Sequence, residues 1–300
     1  MRLMSTQEET VASEVSDQVK TRIITGVVGI PLTLAALFAS VYYPLILTLV
    51  ILFLCLTGIH EALKTAGADK VKAIYVPCFV YGTVVLFVPY IKDQNKMLGV
   101  IMAASMLFLF VMFGILLKKH LVLRIEAVCT AMILTMFVAL PFMAVEFISH
   151  SGKNALGGIF LVLFCLGIAW YADAGAYFIG RVFGKHKMAP VLSPKKTIEG
   201  AVGGFVISMI ISLGSAYIYA DVLRYRPGGI NYLNMAVITA VCILMSMFGD
   251  ISFSTVKRQY GIKDFGTLLP GHGGVLDRFD SVLFVCPSFY MLNFILPILK

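Results

Sequence analysis

Long uncharged apolar runs, separated by short polar or charged segments, set the pattern of this chain. A hydrocarbon core about 30 Å thick is crossed by a helix of roughly 20 apolar residues. The run Ile23–Ile59 is too long for one crossing, and Tyr42-Tyr43-Pro44 divides it in two, with aromatic residues suited to an interface at the turn. Leu45–Ile59 is then the shortest span. Further runs cover Ala73–Ile91, Met97–Leu117, Ala127–Val145, Asn154–Ala172, Gly200–Ala220, Pro227–Gly249 and Ser281–Leu299. The pattern predicts an all-α polytopic integral membrane protein of about nine transmembrane helices.

Composition agrees. Of 300 residues, 59% are hydrophobic and 13% charged, with a mean hydropathy of +0.92; soluble domains carry about 25% charged residues. A disordered chain, a disulfide scaffold and a water-soluble nucleic-acid binder are excluded. The six cysteines, Cys55, Cys78, Cys129, Cys165, Cys242 and Cys286, lie inside apolar runs without CxxC spacing and read as packing residues. The N-terminal arm, residues 1–22, carries Glu8, Glu9, Glu14 and Asp17 and lacks the basic start of a signal peptide. Residues 23–150 form five spans. Residues 151–300 form a C-terminal region with polar loops 181–199 and 251–279, and the compact length suits a bacterial inner membrane.

The net charge of +8 reads first as topology. With the N-terminus cytoplasmic, alternation places 18 of the 24 basic residues in cytoplasmic segments. Only Lys92, Lys96, Lys153, Arg224, Arg226 and Lys300 fall outside. This is the positive-inside bias. It puts Arg181–Gly200 and Asp250–Asp280, the two charge-rich windows, on the cytoplasmic side.

Acids at or within spans are costly and mark candidate sites. Asp173 follows the sixth span and shares a helical face with Ala169, Ala176 and Gly180. That face reads either as a close helix seam with one bonded polar residue or as the location of a substrate-binding carboxylate. The loop beyond it ends Ser193-Pro194-Lys195-Lys196-Thr197-Ile198-Glu199-Gly200. Its lysines are either topological charge or phosphate ligands, placed where free N–H groups at the start of the seventh span also favour anions.

In the second window, helical character runs from Asp250 past Lys257 and Arg258 to Tyr260, with Gly261 as a stop. Lys263-Asp264-Phe265-Gly266 reads as extended, and Gly271-His272-Gly273-Gly274 permits close backbone approach to a phosphate. His272 either bonds the turn or contacts substrate. Asp277 and Asp280, at i and i+3, share a face at the entrance to the ninth span. With Asp250 they make an oxygen-rich set suited to a hard divalent cation. The plainer alternative is that Asp277 caps the helix and Asp280 pairs with Arg278 or Lys257.

The run Ser254-Thr255-Val256-Lys257-Arg258, Lys263-Asp264-Phe265-Gly266 and Leu269-Pro270-Gly271-His272-Gly273-Gly274-Val275-Leu276-Asp277-Arg278-Phe279-Asp280 resembles the signature of the phosphatidate cytidylyltransferases, also called CDP-diacylglycerol synthases. Asp173, Gly180-Arg181, Gly184-Lys185 and Ser193–Gly200 are also similar to the family pattern, so the resemblance covers roughly Trp170 to the C-terminus. It implies transfer of a cytidylyl group from CTP to phosphatidic acid, giving CDP-diacylglycerol and pyrophosphate. It further implies a Mg²⁺ requirement with a monovalent cation (K⁺) beside it, metal-binding Asp250 and Asp277 with Asp280 nearby, a homodimer, and a cytoplasm-facing site.

The residues fit such chemistry. Both substrates are polyanions, and Coulomb repulsion at close range amounts to several kcal/mol at intermediate dielectric. Lys195, Lys196, Lys257, Arg258 and Arg278 are the candidates to neutralise it. Ser193, Thr197, Lys263, Asp264, Gly271, Gly273 and Gly274 complete the expected phosphate and CTP contacts. Competing readings are a cation-coupled transporter using Asp173 and Asp250, or another lipid-phosphate enzyme such as a polyprenol kinase. A CDP-alcohol phosphotransferase would need an aspartate-rich DG–AR motif, which the sequence lacks.

Overall fold

A computed structural model describes residues 35–68, 71–152, 155–190, 192–222, 229–268 and 273–298. Residues 35–42 are helical, and the helix is interrupted at Tyr43 before α1 (Pro44–Thr65) begins with proline in its first turn. Then come α2 (Tyr75–Leu86), α3 (Gln94–Lys118), α4 (Ile125–His150) and α5 (Ala155–Phe183). A hairpin of β1 (Lys187–Ala189) and β2 (Ser193–Thr197) leads into α6 (Ile198–Tyr217). Last are α7 (Tyr232–Gln259), the short α8 (Leu276–Phe279) and α9 (Val282–Ile295).

Among the described residues, seven helical segments are long and apolar enough to cross a bilayer: Pro44–Thr65, Lys72–Tyr90, Gln94–Lys118, Ile125–His150, Ala155–Phe183, Ile198–Val222 and Tyr232–Gln259. They correspond to the second through eighth expected spans. Most of the first, Ile23 onward, lies outside the described residues, as does the arm 1–22. The run expected as the ninth holds the 14-residue α9, which is shorter than these seven.

The expected boundaries shift where a helix runs on past its first polar residue. Helix α1 continues beyond Ile59 to Thr65 and so contains Glu61. Helix α5 runs past Ala172 to Phe183 and carries Asp173 and Arg181 within it. Backbone hydrogen bonding continues through such residues, whereas an apolar run ends at the first charge. The β1–β2 hairpin departs from the all-helical expectation; it pairs Lys187 with Thr197 and Ala189 with Ser193.

Helix α4 lies at the centre, packed by α1, α2, α5 and α9. Its Val138, Ala139, Phe142 and Ile148 are buried, and the Thr48 hydroxyl on α1 donates to the buried Glu146 carboxylate at 2.5 Å. Helices α5 and α6 approach most closely, through small residues. A Cβ on Gly204 would lie 2.5 Å from the Ala172 carbonyl oxygen, and one on Gly175 would lie 3.0 Å from Gly204 Cα. Ser208 donates across this seam to the Ile168 carbonyl at 2.9 Å. The six cysteines are free, and all but Cys129 are buried, as packing residues should be.

Candidate active site

Two charge-rich segments far apart in sequence meet at one end of the bundle, around a cavity of about 460 Å³. Its wall takes Asp173 and Tyr177 from α5, Ser193, Lys195, Lys196 and Thr197 from the hairpin, and Asp250 and Lys257 from α7. Asp264, Asp277, Arg278 and Asp280 close it, while Ala172, Ala176, Ala201 and Met247 give it an apolar side.

Each wall is locally determined. Thr197 has an extended backbone, and its hydroxyl accepts from Gly200 N at 3.1 Å, capping α6 directly after Lys195 and Lys196. Glu199 secures the other hairpin arm: it accepts from Lys185 N at 3.0 Å and lies 2.6 Å from His186 Nδ1. The two lysines are thereby presented on an anchored strand. Helix α7 ends where the sequence places its stop, with Gly261 at φ 66°.

Two ion pairs stand in the cavity. Lys196 on β2 forms an ion pair with Asp250 on α7. Lys257, one helical face further along α7, bonds Asp277 Oδ1 at 2.9 Å, and this pair is only 13% and 4% exposed. Burial lowers the Lys196 ammonium pKa, opposed by the negative charges of Asp173 and Asp280. The Asp280 carboxyl is raised, chiefly by burial, with Lys257 and Lys196 opposing. The Ser281 hydroxyl donates to Asp173 Oδ2 at 3.4 Å, and its backbone N–H bonds Asp280 Oδ1 at 2.7 Å. Asp173 therefore joins the cavity wall and is tied to the start of α9, next to the close α5–α6 seam made by Ala172, Gly175 and Ala176.

Asp277 does more than cap its own turn. Its Oδ2 accepts from Gly274 N at 3.0 Å and, across the loop, from Phe265 N at 2.8 Å. Asp280 is turned toward Ser281. Not every expected residue joins the cavity wall. Arg258 is exposed, its guanidinium 3.4 Å from the Ile262 carbonyl. Lys263 is exposed, and Gly273 (φ 86°) and Gly274 lie behind Asp277. Gly271 and His272 fall outside the described residues.

Among the described residues, no three His, Cys, Asp or Glu side chains converge as a ready-made metal site. Asp250 is paired with Lys196 and Asp277 with Lys257 in this arrangement. The donor chemistry still suits Mg²⁺, which is commonly held by one or two carboxylates, with waters and substrate phosphates completing its six oxygens.

Glu61 is the residue that sequence reasoning missed. On α1 and 4% exposed, it receives both Val275 N and Leu276 N at 2.9 Å. An acid two positions beyond an apolar run looks like the end of a span. Extending that helix by one turn puts Glu61 inside it, and an acid within a candidate span is the signal that finds it.

A membrane bundle with an acid-and-lysine cavity at one end defines a polyanion-handling enzyme, and the chain belongs to the cytidylyltransferase family, which matches residues 20–296. Among similar proteins is a phosphatidate cytidylyltransferase from Staphylococcus epidermidis, 31% identical over 92% of this chain and 98% of that protein. Those of Staphylococcus aureus (31%, over 92% and 98%) and Staphylococcus saprophyticus (31%, over 88% and 97%) are similar to the same extent.

Proposed function

We propose that this protein transfers a cytidylyl group from CTP to phosphatidic acid, forming CDP-diacylglycerol and pyrophosphate. The observation that carries this reading is the cavity where the Lys196–Asp250 and Lys257–Asp277 pairs face one another. It offers cations for phosphates, carboxylates for a metal, and an apolar side for a lipid. The curated relatives, similar over nearly their whole length, supply the substrate pair.

A phosphate monoester has its second pKa at about 6 and is already a nucleophile near neutrality. No strong general base is required, and the site's task is positioning and charge neutralisation. The lipid phosphate oxygen forms a bond to the α-phosphorus of CTP, and the bond to the bridging α–β oxygen breaks, with pyrophosphate leaving in line. Lys195 and Lys196 face this chemistry from β2, and Lys257 and Arg278 from the opposite wall. Asp250 and Asp277 would hold Mg²⁺, which would polarise the phosphorus and screen the triphosphate. A monovalent cation beside it belongs to the same reading. Arg258 and Lys263, both exposed, are assigned to the rim of the site.

Completing the bundle with a span at Ile23–Tyr42 and counting α9 gives nine crossings. With a cytoplasmic N-terminus, positive-inside charge then puts the cavity in the cytoplasm. The bacterial relatives support a cell-membrane location, and two copies of the chain form the working unit in this reading.

Purified protein supplied with Mg²⁺, labelled CTP and phosphatidic acid should yield a lipid-soluble cytidylyl product and one pyrophosphate per turnover. Failure to form either product rejects the reading. Nucleotide-independent, substrate-linked ion flux in proteoliposomes would establish a transporter instead.

A further inference from the structure

We propose that Glu61, on a helix of the N-terminal half, is a positioning residue for Asp277 and sets the affinity of the active site for its divalent cation. The proposal rests on the reading of Asp277 as a metal-binding carboxylate.

The geometry is specific. The two Glu61 oxygens are divided between consecutive amides, Oε1 receiving Val275 N–H and Oε2 receiving Leu276 N–H, both at 2.9 Å. The next residue is Asp277. Its Oδ2 is committed to Phe265 N–H and Gly274 N–H, which leaves Oδ1 for Lys257 and the cavity. Two carboxylates thus hold the same loop, Glu61 from the core and Asp277 from within. The loop is shaped for this hold: a Cβ on Gly266 or on Gly274 would collide with the Glu61 carboxylate. Both arms of the loop must therefore lie bare against one side chain some 200 positions away.

Two acceptor oxygens at this reach are a strict requirement. Glutamine presents one oxygen and an NH₂ that opposes a backbone N–H, and aspartate is one methylene short. Losing one amide anchor lets residues 274–277 relax, and the direction of Asp277 Oδ1 relaxes with them. Groups that orient metal ligands typically change metal affinity by about 10–100-fold when removed. The effect should appear as a raised metal requirement, with maximal turnover largely recovered at high metal.

The test uses the full-length protein in detergent with the variants Glu61→Gln and Glu61→Asp. Three readouts are needed: Mg²⁺ concentration for half-maximal turnover, thermal unfolding, and hydrogen exchange across 264–277 without metal. We expect about tenfold or greater increases in half-saturating Mg²⁺, faster exchange at Val275 and Leu276, and recovery of turnover at saturating Mg²⁺. A lower unfolding temperature with unchanged half-saturating Mg²⁺ would overturn the proposal, since a purely structural residue behaves that way. Unchanged exchange at Val275 and Leu276 would also overturn it. Should both Glu61 variants fail to fold, Gly266→Ala perturbs the same contact from the loop side, and unchanged metal dependence there overturns it too. If the unaltered protein shows no Mg²⁺-dependent cytidylyl transfer, the functional reading fails, while the exchange experiment still reports whether Glu61 holds the loop.

Discussion

Lys257 and Asp277 form a nearly buried ion pair, 2.9 Å apart, between α7 and the turn that opens α8. Removing one member of such a pair leaves an uncompensated buried charge, at a cost of about 3–5 kcal/mol. Lys257→Met should therefore lower the unfolding temperature, and Asp277→Asn in the same chain should restore part of it. Thermal melts of the single and double variants measure this. Additive losses would show that the two residues do not interact.

The same acids are expected to govern catalysis. Asp250→Asn and Asp277→Asn should each lower kcat/KM by roughly 10²–10³, the scale of removing a group that stabilises transition-state charge. Both should raise the Mg²⁺ requirement. Near-normal turnover of both across a Mg²⁺ titration would refute their assignment as metal ligands.

Asp173 separates seam from site. Asp173→Asn preserves the volume of the side chain and its capacity to accept from Ser281, so the melting temperature should move little. A loss of turnover of about tenfold or more would be electrostatic in origin. Equal changes in stability and activity would reduce Asp173 to a packing residue.

The α5–α6 seam makes a structural prediction. On Gly200, a Cβ would meet the Ala176 carbonyl at 2.6 Å, an atom of the backbone. Gly200→Ala should cost about 1–3 kcal/mol, as overpacking does, and should displace Lys195 and Lys196 by moving the start of α6. Unfolding and CTP dependence measured on one preparation test both effects.

Topology is open to a direct check. Nine crossings with a cytoplasmic N-terminus place Lys300 outside. A reporter fused after Lys300 should be active only on the outer face, and cytoplasmic activity would remove one crossing from the count.

The helical membrane architecture was legible in the sequence because lipid forces every crossing to announce itself as an uncharged run. Asp250, Asp277 and the Ser193–Thr197 lysines were legible because each sits where an apolar run ends. What the runs concealed was interior polarity. Glu61 lies within a helix that outlasts its hydrophobic stretch, since a side chain facing a partner loop need not be apolar. The β1–β2 hairpin was concealed because its strands are short and Lys-rich, with no alternation to reveal them. The pairing of Asp250 and of Asp277 with a lysine is a tertiary relationship: Lys196 and Asp250 are 54 positions apart.

Helix α9 has a consequence for where the chemistry occurs. Asp280 and Ser281 both keep right-handed helical backbone, so α8 runs on into α9 and one helical path leads from Leu276 to Ile295. At about 1.5 Å per residue this path rises about 30 Å, the thickness of the hydrocarbon. In the nine-crossing reading its first turn, with Asp277 and Asp280, stands at the level of the headgroups. A lipid phosphate then reaches the aspartates while its acyl chains stay in their leaflet.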